Sequence, residues 1–100
     1  MYFLLQAVNG NYAGRKIPVP SEGKVSIGRE ESASYAFFTD SFMSRTHAEL
    51  SRAGADCILH DLDSSNGPFL TGRQIDYEAL VRAGDRVQIG ETHFEVSEET

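Results

Sequence analysis

Apolar and polar residues alternate with a period of two along much of the chain, the pattern of half-buried strands. Val25 and Ile27 alternate with Lys24 and Ser26, and Ala48 and Leu50 alternate with Glu49 and Ser51. Ile58, His60 and Leu62 share one face, as do Val87 and Ile89, then Phe94 and Val96. Turn formers separate these runs at Asn9-Gly10-Asn11, Ser21-Glu22-Gly23, Ala53-Gly54-Ala55, Asn66-Gly67-Pro68, Thr71-Gly72-Arg73, Ala83-Gly84-Asp85 and Gly90-Glu91. Strands of about four to seven residues at roughly 8–12-residue spacing predict an all-β sandwich, with loops gathered at its two ends. The one rival helix, Asp76 to Arg82, is too short to carry a layer and reads as a loop with a short strand or turn. Glu30–Ser34 and Asp40–Met43 have weak strand character. No repeat, linker or low-complexity segment divides the chain, so residues 1–100 read as one domain with a core from about 2 to 97. The acidic tail from Ser97 to Thr100 is expected to fray or to lead into further chain.

One hundred residues can bury a self-sufficient core, and 40% hydrophobic with 24% charged residues is ordinary for a globular domain. The apolar opening Met1-Tyr2-Phe3-Leu4-Leu5-Gln6 has no basic flank and breaks at Asn9-Gly10. It fits neither a secretory signal nor a membrane span. A formal charge of -6 argues against a general binder of nucleic acid or anionic membrane, both of which need a broad basic face. A lone Cys57 cannot form an internal disulfide, which favours a reducing, cytoplasmic setting.

Charge and composition leave room for a local anion site, and three runs supply its parts. Gly28-Arg29 follows an apolar strand, where glycine permits close approach and the arginine fork can hold an anion through two parallel bonds. By itself it also reads as a strand-ending glycine and a solvated arginine. Ser44-Arg45-Thr46-His47 precedes the strand Ala48 to Leu50 and offers a hydroxyl, a second cation and an imidazole able to bridge loops. A Ser44–His47 nucleophile and base would also need an oxyanion hole, and no nucleophile elbow is present; no catalytic residue is assigned. Ser64-Ser65-Asn66-Gly67 contains a plain hairpin signal in Asn66-Gly67, while Ser65 can bond phosphate and the Asn66 amide can bond a peptide main chain. Cys57, His60 and His93 lack metal-ligand spacing, so neither metal nor cofactor is expected. Asp61 and Asp63 share a strand face without further support for acid–base chemistry. Arg73 could line the same apex.

In this order, Gly28-Arg29, Ser44-Arg45-x-His47, Ser64-Ser65-Asn66-Gly67, Gly84-Asp85-Arg86-Val87-x-Ile89-Gly90 and Phe94-x-Val96 resemble a forkhead-associated (FHA) domain, from about Gly14 to Val96. The resemblance implies an eleven-stranded antiparallel β-sandwich whose apical loops bind phosphothreonine peptides. It implies that Arg29 binds phosphate, Ser44 donates to it, and Arg45 contacts phosphate or peptide main chain. Ser65 would contact the phosphothreonine and Asn66 the peptide backbone beside it, with Gly28, His47 and Gly67 holding the loops. Residues after the phosphothreonine would meet Phe42 and the 68–73 loop. The implied partner is a phosphothreonine-bearing protein, either a Ser/Thr kinase substrate or the kinase itself. Three departures stand out: Pro68 after Asn66-Gly67, which puts the pairing of the next strand in question; Phe42-Met43 before Ser44; and a 34–38 segment without an opening aspartate. The competing reading is a phosphate-independent interaction domain using another face, with Phe37, Phe38 and Phe42 as an apolar patch.

Overall fold

The computed structural model describes residues 2–62, 64 and 67–99. Its strands are β1 (Tyr2–Ala7), β2 (Lys16–Val19), β3 (Lys24–Gly28), β4 (Tyr35–Ala36), β5 (Ala48–Ala53) and β6 (Asp56–Asp61). They continue as β7 (Phe69–Leu70), β8 (Arg73–Gln74), β9 (Glu78–Val81), β10 (Arg86–Ile89) and β11 (Thr92–Glu99). One 3-10 turn, Gly10–Tyr12, joins β1 to β2. The segment read as a loop with a short strand is β9.

The strands form two packed sheets, ordered β2-β1-β11-β10-β7-β8 and β4-β3-β5-β6-β9. Pairing is antiparallel except for β3 and β4, which run parallel through Ile27↔Tyr35 and Gly28↔Ala36. The sheets close over Phe3, Leu5, Ile17, Ile27, Leu50, Leu59, Val87, Ile89 and Phe94, each at most 2% exposed. Burying side chains of this size contributes about 1.5–3 kcal/mol each. Phe37 joins this core edge-on to Phe94, with ring centroids 5.5 Å apart.

One orientation left open by the sequence is settled here, and one expectation is corrected. The Ile58–His60 face of β6 is its outer, half-buried one, because Leu50 pairs with Leu59 and opposed residues share a face. Cys57 and Leu59 therefore point inward, both fully buried. Phe37 cannot belong to a surface patch, being fully buried, whereas Phe38 and Phe42 are 63% and 54% exposed. Pro68 leaves strand pairing intact: β7 begins one residue later and pairs with both β8 and β10, while the Pro68 carbonyl accepts from Ile75 N–H at 3.1 Å.

Arginines brace opposite ends of the sandwich. The Arg15 guanidinium lies 4.7–5.7 Å from the ring centroids of Tyr12, Tyr35 and Phe37 and donates to the Ala36 carbonyl. Arg52 lies over Phe3 at 4.8 Å and donates to the carbonyls of Asp56 and Gly54. Edge strand β2 carries Pro18, which has no N–H to offer another strand and so blunts edge-to-edge pairing.

Candidate functional site

The end of the sandwich that follows β3 and precedes β5 is assembled around Gly28. The backbone of residues 44–46 crosses directly over this glycine. A Cβ there would overlap the Arg45 carbonyl oxygen and come within 2.8 Å of the Thr46 Cα. With no side chain in the way, the two segments join by main-chain bonds. Arg29 N–H donates to the Ser44 carbonyl at 3.0 Å, Glu30 N–H to the Arg45 carbonyl at 3.3 Å, and His47 N–H to the Ile27 carbonyl at 2.8 Å. Arg29 and Ser44 are thereby held side by side.

The half-buried Arg29 side chain donates from Nε to the Met43 carbonyl at 3.0 Å. That bond spends one donor on fixing the guanidinium plane. Its two terminal nitrogens make no hydrogen bond or ion pair with a described residue. Arg45 is more exposed, with its Nε 3.5 Å from Glu30 Oε2. Such an exposed pair is weak and can open at little cost.

His47 is fully buried, and its Nδ1 accepts Ser44 N–H at 3.0 Å. Its carbonyl accepts Leu62 N–H at 3.0 Å, so this one residue ties the ends of β3, β5 and β6 together. Accepting at Nδ1 places the proton of the neutral ring on Nε2. Burial lowers the His47 pKa; the Gly67 carbonyl and the carboxylates of Asp61 and Asp40 act in the opposite direction. The Gly67 carbonyl nevertheless forms no hydrogen bond of standard geometry with buried Nε2. With Nδ1 on a main-chain amide and Nε2 enclosed, the imidazole is not aligned as a base for the Ser44 hydroxyl.

Ser64 turns back on Asp61, its N–H and hydroxyl both donating to Oδ1 at 3.0 and 2.7 Å. Gly67 is buried with φ +55°, a left-handed conformation suited to glycine. Ser65 and Asn66, the proposed contacts between these two, lie outside the described residues, as does Asp63. Arg73 does not join this end. Antiparallel pairing of β7 with β10 carries the 71–72 turn toward the opposite end, where Thr71 N–H donates to the Arg86 carbonyl and Thr71 Oγ1 lies 3.3 Å from Asp85 Oδ1. The expected meeting of ligand with the whole 68–73 loop is corrected accordingly.

Asp40 falls in a segment of weak strand character and is not among the expected site residues. It is instead a buried clamp, 6% exposed, accepting from Phe42 N–H, Glu91 N–H and Thr92 Oγ1 at 2.7–3.2 Å. The signal for it was slight: an aspartate two residues before Phe42 can bond its own turn. The cross-sheet partners are 51 and 52 residues away and leave no local mark. Among the described residues no group of three or more His, Cys, Asp or Glu is placed to hold a metal. No helix among them is long and apolar enough to cross a membrane.

A family model described as FHA domain matches residues 25–90. The chain is 34% identical over 92 residues to the FHA domain-containing protein FhaB of Mycobacterium tuberculosis, covering 92% of this chain and 58% of that protein. It thus spans less than two thirds of the curated relatives it matches. The fold superposes on the crystal structure of the FHA domain of a Chlamydia trachomatis protein with a TM-score of 0.90 at 25% identity, over all of both chains. A second structure, from work on phosphothreonine-dependent FHA domain interactions, gives 0.87 at 28% identity, over 100% of this chain and 99% of the other.

Proposed function

The chain belongs to the FHA-domain family, and from that premise we propose that it is a non-catalytic reader of phosphothreonine in partner proteins. The observation that carries the reading is Arg29: a half-buried guanidinium, oriented through Nε by the Met43 carbonyl, whose terminal nitrogens face no protein partner among the described residues. A phosphothreonine brings nearly two negative charges and three acceptor oxygens at neutral pH. Arg29 would take the phosphate in a fork, Ser44 would donate its hydroxyl, and Arg45 would leave Glu30 for phosphate or peptide main chain. Ser65 and Asn66 complete the proposed contacts to the phosphothreonine and the peptide backbone. Gly28, His47 and Gly67 hold the loops without touching ligand.

Bonds to charged groups contribute about 1.5–3 kcal/mol each. Ordering a flexible segment costs about 2–5 kcal/mol or more, so three or four such bonds give reversible binding. The module acts without cofactor or metal, and buried, unpaired Cys57 is consistent with work in the cytoplasm. The partner is a kinase substrate or a kinase bearing phosphothreonine.

The test is calorimetric titration of matched phosphothreonine, phosphoserine, threonine and aspartate peptides against wild type and Arg29→Ala. Binding should require phosphothreonine and should fall at least about tenfold in the variant, since a lost charged bond is worth about 1.5–3 kcal/mol. Phosphate-indifferent binding unchanged by Arg29→Ala would favour an interaction face elsewhere, with exposed Phe38 and Phe42 the first place to look.

A further inference from the structure

Among the described residues the two sheets end in edge strands β2 and β8 in one, β4 and β9 in the other. Three of these are poor templates for an added strand: β2 carries Lys16 and Pro18, and β4 and β8 are only two residues long. Edge strand β9, Glu78-Ala79-Leu80-Val81, has neither proline nor a basic residue, and Leu80 is 48% exposed. The Glu78 carboxylate lies 3.4 Å from His60 Nε2 on the neighbouring β6, so it does not guard the rim. Hydrogen-bond phase shows which main-chain groups this edge leaves open. Asp61 N–H donates to the Tyr77 carbonyl at 2.9 Å, which makes Leu59–Ala79 and Cys57–Val81 the bonded pairs of the β6–β9 register. On the other side of β6, Leu62 N–H donates to the His47 carbonyl, assigning residues 58 and 60 to β5 and leaving 57, 59 and 61 for β9. Both bonds give the same phase. Glu78 and Leu80 therefore turn their N–H and C=O groups outward, away from the sheet.

The strand that fits this edge is β9 of a second copy. Arg82, next in phase, offers nothing from its main chain, since its N–H donates to Asp85 Oδ2 and its carbonyl accepts Asp85 N–H. Setting Glu78 against the second copy's Leu80, and Leu80 against its Glu78, lets every outward group find a partner. Sliding the copies so that Leu80 meets Leu80 would set Glu78 against the occupied Arg82. Sliding them the other way would set Glu78 against Glu78, and like charges directly opposed are destabilising. The favoured register also places Asp76 opposite the second copy's Arg82, once on each side of the two-fold axis. Both residues are exposed, and neither forms an ion pair with a described residue. Directly opposed residues stand about 4.5–5.5 Å apart at Cβ, within reach of a carboxylate and a guanidinium. We propose that the chain self-associates by antiparallel pairing of β9 with β9 of a second copy, making one continuous sheet of two five-stranded ones. The contact is isologous and short, well below the roughly 1,200 Å² of a standard interface, so the dimer is weak and reversible. Its two Arg29 ends face opposite directions.

The test is sedimentation equilibrium of the full chain at concentrations from about 10 μM to about 1 mM, a span suited to weak association. Wild type should pass from monomer toward dimer across that range. Asp76→Arg and Arg82→Glu should each weaken association at least about tenfold, because attraction at both ends of the contact becomes repulsion. Mixed in equal amounts, the two variants should associate with each other at least as well as wild type, since opposite charges then meet at both ends. Leu80→Pro removes an outward N–H that the monomer's own sheet does not use. It should abolish association while circular dichroism still shows a cooperative unfolding transition. A chain that stays monomeric at about 1 mM overturns the proposal. So does a dimer indifferent to these substitutions, or a mixture of the two charge variants that associates no better than either alone.

Discussion

His47 shows how one buried group couples a proton to the position of a loop. Its Nδ1 is the acceptor for Ser44 N–H, so a proton at that nitrogen would face a donor with a donor and release the Ser44 amide. Burial lowers the pKa from the ordinary 6.5, more than the Gly67 carbonyl and the Asp61 and Asp40 carboxylates raise it. Below the ordinary histidine value the unfolded chain then binds more protons at this position than the folded one, and stability must fall as pH falls. The loss ends where the folded imidazole itself titrates. Unfolding free energy from urea titrations should therefore decline as pH drops from 6.5, by less than about 1.4 kcal/mol per pH unit for the single proton. Subtracting the same series for His47→Gln should isolate that slope. Identical slopes in the two proteins would mean that His47 keeps its unfolded proton affinity and that its burial exerts no cost.

Between elements, the decisive contact joins the two sheets. The loop after β4 belongs to one sheet and the β10–β11 turn to the other, and the Asp40 carboxylate bonds both. Gly90 makes room for it: a Cβ there would stand 2.7–2.9 Å from the carboxylate atoms. The same loop carries the Met43 carbonyl that orients Arg29. Asp40→Ala would strand two amides and a hydroxyl, and should cost at least about 2 kcal/mol in urea unfolding, with Asp40→Asn intermediate because it keeps one acceptor oxygen. An alanine variant as stable as wild type would show that water replaces the clamp. Contacts of this kind explain what could be read in advance. Strand positions and turns follow from local alternation, so β3, β5, β10 and β11 were legible. Register was not legible in β6, where Cys57-Ile58-Leu59 is apolar in both phases and only pairing with Leu50 selects the inward one. Adjacent Phe37 and Phe38 posed the same ambiguity, resolved when Phe37 N–H bonds the Gly28 carbonyl and the ring turns into the core. Arg73 was misplaced because the direction of its turn depends on β7 pairing with β10, a contact with no trace in nearby residues. At the site, the motif order brought out Arg29 and Ser44, whereas Asp40 depends on partners half a chain away.

On the scale of the whole molecule, cooperativity of the two sheets can be read through Cys57. The thiol sits fully buried on β6, facing the opposite sheet, and burial pushes its pKa up to about 11, with Arg52 acting weakly the other way. The folded chain holds this proton more tightly than the unfolded one. Its contribution to stability is therefore present below pH 9.0 and is lost as pH rises toward about 11. At pH 8 only about one thiol in a thousand would be ionised even if a reagent could reach it. Two routes can expose it. In one, the sandwich opens as a unit and the labelling rate follows the global unfolding equilibrium. In the other, β9, an edge strand that pairs with β6 alone among the described strands, peels away and uncovers Cys57 opposite Val81. Val81 is 2% exposed and belongs to the same buried cluster as Leu59 and Val87, so peeling would expose core to water. That cost favours the global route. Thiol labelling measured against urea should then give a free energy and a urea dependence equal to those of global unfolding by circular dichroism. A shallower urea dependence at low denaturant would instead reveal local opening of β9.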